Sequence, residues 1–154
     1  MTVPVKDIMT RKLVTIQMGS SAFKAHKKMQ DLRIRHLPVV DELDDIVGVL
    51  SLRDVSNLSR PEAIPVEFVM SATVQNMNQN TPIRSAILKM LELKISSLLV
   101  IDEQEDIVGI VTTDDMLWFL AHKLRDEPEE SELISDTNLH TIGKLAHDLS
   151  IMGI

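Results

Sequence analysis

DIVGVLSLRD occupies residues 45–54, and DIVGIVTTDD occupies residues 106–115. Both carry an apolar arm with a Gly inside it, then a hydroxyl followed three residues later by a carboxylate: Ser51 and Asp54, then Thr112 and Asp115. The two stretches lie 61 residues apart, and shifting the whole chain by that offset aligns it with itself without a gap. Of the 55 positions from Pro4 to Leu58, 17 are identical to their counterparts. Pro4-Val5 falls on Pro65-Val66, Met9 on Met70, and Lys28-Met29 on Lys89-Met90. A fixed-period match of this kind marks a duplicated structural unit.

Each unit has one coarse reading. LVTIQ, from Leu13, is a short apolar strand. SSAFKAHKKMQDL follows, with Ser20 or Ser21 as N-cap and Ala22, Ala25, Met29 and Leu32 at helical spacing. HLPVV is a strand, DELDD a polar turn and IVGVL a second strand, so together they predict a hairpin. LRDVSNL then begins a second helix, with Ser51 as its N-cap. The predicted order is β-α-β-β-α, twice, an α/β (α+β) fold. A unit of this size with few aromatics is marginal alone, so two units packed sheet to sheet are expected to share a core. The expected divisions are residues 1–60, the first repeat; 61–125, the second; and 126–154, an acidic linker and a C-terminal helix. In that last segment Leu139, Ile142, Leu145, Leu149 and Met152 form one apolar face, suited to packing on the body or on a second subunit.

Composition narrows the function classes. The 154 residues are 44% hydrophobic but only 3% aromatic, so a core must come from aliphatic side chains and the nine Met. There is no Cys, which excludes disulfides and thiolate metal sites and fits an intracellular protein. The net charge of −7 is uneven: residues 1–125 hold fifteen Lys+Arg against sixteen Asp+Glu, and residues 126–154 hold one Lys against seven acids. A nearly neutral body without a basic stripe or stacking aromatics argues against nucleic-acid binding. Lys6, Asp7, Arg11 and Lys12 interrupt any leader-like run, and no stretch approaches ~18 apolar residues, so a cytoplasmic protein without a membrane span is expected. The five His have no paired ligand spacing, and no nucleophile triad or phosphate loop is present, so neither a metal site nor an enzyme is expected.

The Met-Thr at Met9, the strand LPVVD and the G-h-h-[ST]-x-x-D ending have counterparts in the same order in the second half: Met70-Ser71, LLVID and the same ending. This pattern resembles a cystathionine-β-synthase (CBS) domain, and the chain resembles a stand-alone CBS pair over about residues 3–122. The resemblance implies two pseudo-twofold repeats joined through their sheets, with two clefts between them, commonly assembled as a disk-like homodimer. It implies an adenosyl ligand: AMP, ADP, ATP or S-adenosylmethionine.

The residues themselves permit this chemistry. Gly48 and Gly109 allow close backbone approach or unusual φ. Ser51 and Thr112 stand where a helix begins, and free N–H groups there favour a phosphate. Asp54 and Asp115 could accept hydrogen bonds from ribose hydroxyls, roughly 1.5–3 kcal/mol for a charged bond. The same spacing is equally an ordinary capping box. By resemblance, one cleft takes Met9, Lys12, Val14, Ile34, Arg35, Ile110, Thr112, Asp114 and Asp115. The other takes Met70, Thr73, Gln75, Ile95, Ser96, Val49, Ser51, Arg53 and Asp54. Apolar members would sandwich the base, and backbone near Val14 or Gln75 would read its edge. Asp114 should oppose a long phosphate chain, with Lys12 and Arg35 offsetting it, while Gln75 and Leu99 replace an apolar contact and the strand proline seen as Pro38. The Asp115 cleft is therefore favoured, for a monophosphate or adenosyl ligand. The expected function is a regulatory module that senses such a ligand and signals to an unidentified regulated protein. The alternative is a non-ligand-binding interaction module acting through its dimer surface and C-terminal helix.

Overall fold

The computed structural model describes residues 2–125. The expected C-terminal helix and acidic linker lie outside these residues. Two three-stranded sheets are built in the predicted order. In the first repeat β1 (Ile16–Gln17), α1 (Ala22–Leu32), β2 (His36–Val40), β3 (Ile46–Ser51) and α2 (Leu52–Ser56) follow one another. In the second, β4 (Asn76–Asn78), α3 (Ile83–Leu93), β5 (Ser97–Ile101), β6 (Ile107–Thr112) and α4 (Thr113–Arg125) repeat the series. The sheets are ordered β1-β2-β3 and β4-β5-β6, with the first pair of each parallel and the hairpin pair antiparallel.

Local chemistry sets the boundaries. Ser21, not Ser20, caps α1: its side chain accepts the Lys24 N–H. Both α1 and α3 end on a left-handed residue, Arg33 and Lys94, whose N–H groups return to the last turn. In each hairpin turn one Asp carboxylate, Asp41 or Asp102, accepts two backbone N–H groups.

The first strand is shorter than LVTIQ predicts, and Pro38 accounts for the loss of Thr15. In the second repeat the Leu99 N–H donates to the Gln75 carbonyl at 3.0 Å, and Asn76 pairs with Leu99. Pro38 holds the Leu99 position in the first repeat and has no N–H to give, so β1 begins only at Ile16.

A single shared core is not what forms. There are two clusters, and each is completed by the other repeat's leading segment. Val5 and Met9, from the start of the first repeat, pack with Met77, Ala86, Met90, Leu98 and Val111 of the second. Val66, with Val69 and Met70 beside it, packs with Ala25, Met29, Leu37 and Leu50 of the first. The sequence divisions 1–60 and 61–125 thus cut across the packing. Backbone pairs fix the exchange: Thr10 and Ile110 trade two hydrogen bonds of 2.9 and 3.0 Å, and Val49 and Ser71 trade two of 3.0 Å. The repeated Gly stands at these crossings. A Cβ on Gly109 would lie 2.8 Å from the Thr10 carbonyl oxygen, and one on Gly48 would lie 2.3 Å from the Met70 sulfur. Neither Gly has positive φ, so close approach, not unusual backbone, is the reason for it.

Candidate functional site

The exchange of leading segments makes a cleft whose walls come from both repeats. The Thr10–Ile110 crossing closes one side, the start of β2 forms another, and the first turn of α4 forms the third. The cavity measures about 270 Å³. That is just below the usual range of ligand pockets, roughly 300–1,000 Å³.

Eight of the nine residues assigned to the Asp115 cleft line it: Lys12, Val14, Ile34, Arg35, Ile110, Thr112, Asp114 and Asp115. Met9 does not; it is buried in the core against Gly109, and its neighbour Thr10 takes the place at the wall. Leu13, Arg33, His36, Pro38 and Trp118 also line the cavity and were not anticipated. A helical count from Asp115 finds one of them. Trp118, the only Trp in the chain, stands three residues after Asp115 and four after Asp114, on the same helix face. Its ring is half exposed.

At the helix start the capping box forms. Asp115 Oδ2 accepts the Thr112 N–H at 2.6 Å and the Thr112 hydroxyl at 2.8 Å. The Thr113 N–H donates to the Ser96 carbonyl, and the Asp115 N–H reaches Thr112 Oγ1 at 3.4 Å. The open phosphate cradle expected at this terminus is therefore largely consumed by the protein's own groups. The second carboxylate oxygen of Asp115 and the Asp114 N–H are not used in these contacts. Burial, reinforced by the neighbouring Asp114 charge and opposed by the Thr112 hydrogen bonds, pushes the Asp115 carboxyl above its ordinary range.

The charge swap between the repeats resolves into an ion pair. Asp114 is held by Arg35 in a two-point contact, Nε to Oδ2 at 3.0 Å and Nη2 to Oδ1. Arg35 comes from the first repeat and Asp114 from the second. Beside them, His36 Nε2 meets Ser96 Oγ at 2.7 Å, a second link across the repeats. Burial, with the Arg35 charge adding to it, lowers His36 from 6.5 to about 4.

The floor of the cleft carries the Pro38 effect. Gln75 gives its carbonyl to the Leu99 N–H, but Val14, its counterpart, receives nothing from Pro38. The Val14 carbonyl, at the cleft wall, thus lacks from β2 the donor that Gln75 has from β5.

The residues assigned to the second cleft repeat much of this arrangement. Ser51 and Asp54 make the same capping box, at 2.7 and 2.8 Å. The Leu52 N–H is used by the Arg35 carbonyl. Met70 and Ile95 pack against the two cores, Val49 pairs with Ser71, and Ser96 is engaged by His36. Thr73 and Arg53 are exposed. A larger depression of about 490 Å³ opens elsewhere, between the hairpin turns, rimmed by Asp44, Asp45, Glu105 and Asp106. Four carboxylates make it hostile to an anionic ligand, and it lacks the hydroxyl–carboxylate helix end. Among the described residues no group of three or more His, Asp or Glu could hold a metal ion, and no helix is long and apolar enough to cross a membrane.

The family model for the CBS domain matches residues 5–60 and again 66–122. The chain belongs to the CBS domain family. The fold agrees: the CBS domain pair of protein MJ0100, solved with 5′-methylthioadenosine and S-adenosyl-L-methionine, superposes with a TM-score of 0.72 at 28% identity. That match covers 80% of this chain and 99% of the other. A CBS domain-containing protein of Dictyostelium discoideum is 28% identical over 145 residues, 85% of this chain and 100% of its own length. A homoserine O-acetyltransferase of Methanococcoides burtonii is 34% identical over 112 residues, 73% of this chain but only 23% of the enzyme. The chain spans about a quarter of the length of the first curated relatives it matches.

Proposed function

We propose that this CBS pair is a regulatory module, not an enzyme, and that it binds an adenosyl compound in the Asp115 cleft. The observation that carries the reading is the convergence, in one cavity between repeats, of an Asp115 oxygen available to a ribose and a Val14 carbonyl unclaimed by Pro38. Ile34, Ile110 and Val14 supply apolar walls for the base. The MJ0100 pair, solved with two adenosyl compounds, supports this ligand class. Ligand would touch the Thr10 segment and β2 of one repeat and α4 of the other, and so would favour one arrangement of the two. That shift is the signal passed to a regulated protein. The half-exposed apolar side chains of α3 and α4, Leu88, Leu91, Leu117 and Leu124 among them, support a homodimer as the working form. A cytoplasmic location is part of the same reading. AMP, ADP, ATP and S-adenosylmethionine, each added at millimolar concentration in a thermal-shift assay, test it. At least one should raise the melting temperature by several degrees; no shift from any of them would favour a pure interaction module.

A further inference from the structure

The Arg35–Asp114 pair lines the same cleft as Asp115, and so faces whatever group a ribose held by Asp115 would carry; it poses a selection problem. The pair is partly exposed, 29% at Arg35 and 49% at Asp114, and is screened while the cleft is open; a ligand that covers it is opposed when it removes one partner and strands the other. A 5′-phosphate offers charge to Arg35 alone and places its own negative charge beside Asp114 and Asp115. At the start of α4 the Thr113 N–H is taken by the Ser96 carbonyl and the Asp115 N–H reaches Thr112 Oγ1, so the phosphate meets a reduced cradle there. A neutral thioether leaves the pair closed. An α-amino acid satisfies both ends, its carboxylate on the guanidinium and its ammonium on Asp114, so that one ion pair is exchanged for two. Lys12, at the cleft mouth, draws anions in general and gives no such preference.

We propose that the Arg35–Asp114 ion pair is the specificity element of this cleft, selecting adenosyl ligands whose 5′ sulfur carries an α-amino acid over adenosine 5′-phosphates. This deepens the ligand-sensing reading above and rests on it. The second repeat cannot do the same, because Ser96 and Arg53 hold the equivalent positions.

Isothermal titration calorimetry of the full chain with S-adenosylhomocysteine, 5′-methylthioadenosine, AMP and ATP tests the idea without any substitution. S-adenosylhomocysteine and methylthioadenosine differ at the amino acid while both remain uncharged at sulfur. The homocysteine compound should bind at least tenfold tighter than methylthioadenosine and than AMP, with ATP weakest. Asp114→Asn should then reduce the ratio of S-adenosylhomocysteine to AMP affinity at least tenfold. If AMP binds as tightly as S-adenosylhomocysteine, or if methylthioadenosine matches it, the ion-pair selection is wrong while the adenosyl site stands. If the preference is present but Asp114→Asn folds and leaves it intact, selection by this pair is again wrong. If none of the four binds the unaltered protein, the ligand-sensing reading itself fails and takes this inference with it.

Discussion

Gly109 joins stability to function in a single residue. Any side chain there must push the Thr10 carbonyl, which is backbone already tied to Ile110 and lies at the cleft wall. Gly109→Ala is expected to cost about 1–3 kcal/mol, the range for overpacking a filled site. The nearest atoms that Gly48→Ala would meet belong to the Met70 side chain, which can change rotamer, so it should cost less. Denaturation midpoints of the two variants check the order. His36 makes a pH prediction. Its folded value of about 4 lies below the ordinary 6.5, so the unfolded chain binds the extra proton first. Stability from this group is complete above pH ~6.5 and falls as pH drops toward ~4, by at most about 3 kcal/mol. His36→Gln should lose less stability across that window than the unaltered chain; an equal loss would show that His36 is not the source. Asp115 shifts the other way. Its raised value means that acidification should weaken ligand binding sooner than an ordinary carboxylate would allow.

At the scale of elements, the repeated pattern made the strands and helices legible. Alternation and helical spacing locate α1, the hairpins and both capping boxes, because these depend on neighbours in the chain. The length of β1 was not legible from LVTIQ, because it depends on the missing N–H of a residue on another strand. Pro38→Leu copies the second repeat, where Leu99 is buried in the same position. It should lengthen β1 and return a donor to the Val14 carbonyl. The fold should survive, and affinity for adenosyl ligands should drop by roughly the tenfold that one hydrogen bond supplies. Calorimetry on this variant checks it, with unchanged affinity arguing that Val14 does not read the base. The charge swap of Arg53 and Asp114 was visible in the aligned repeats, but the partner was not. Arg35 lies 79 residues away and meets Asp114 only through the fold.

For the whole molecule, the decisive feature is the exchange of leading segments. Periodicity alone does not show it, because Val5 and Val66 occupy equivalent positions and either could pack at home or away; only the resemblance to CBS pairs, which draws one cleft from both repeats, pointed to it. The exchange puts Thr10 against Ile110 and so builds the cleft from both repeats. A ligand there would touch both halves at once, and under the proposed reading would convert binding into a change of arrangement. The near-symmetry of the two capping boxes also poses the main question about the molecule, namely which helix end holds the ligand. Trp118 lies in the Asp115 cleft, and its counterpart in the other repeat is Asn57, so its fluorescence reports one site alone. The direct measurement is a titration of S-adenosylmethionine into the unaltered chain, Asp54→Ala and Asp115→Ala, followed by calorimetry and Trp118 emission. Asp115→Ala should weaken binding at least tenfold and abolish the emission change, while Asp54→Ala keeps both within a factor of about three. Equal loss in the two variants, or full binding in Asp115→Ala, would contradict the assignment of this cleft.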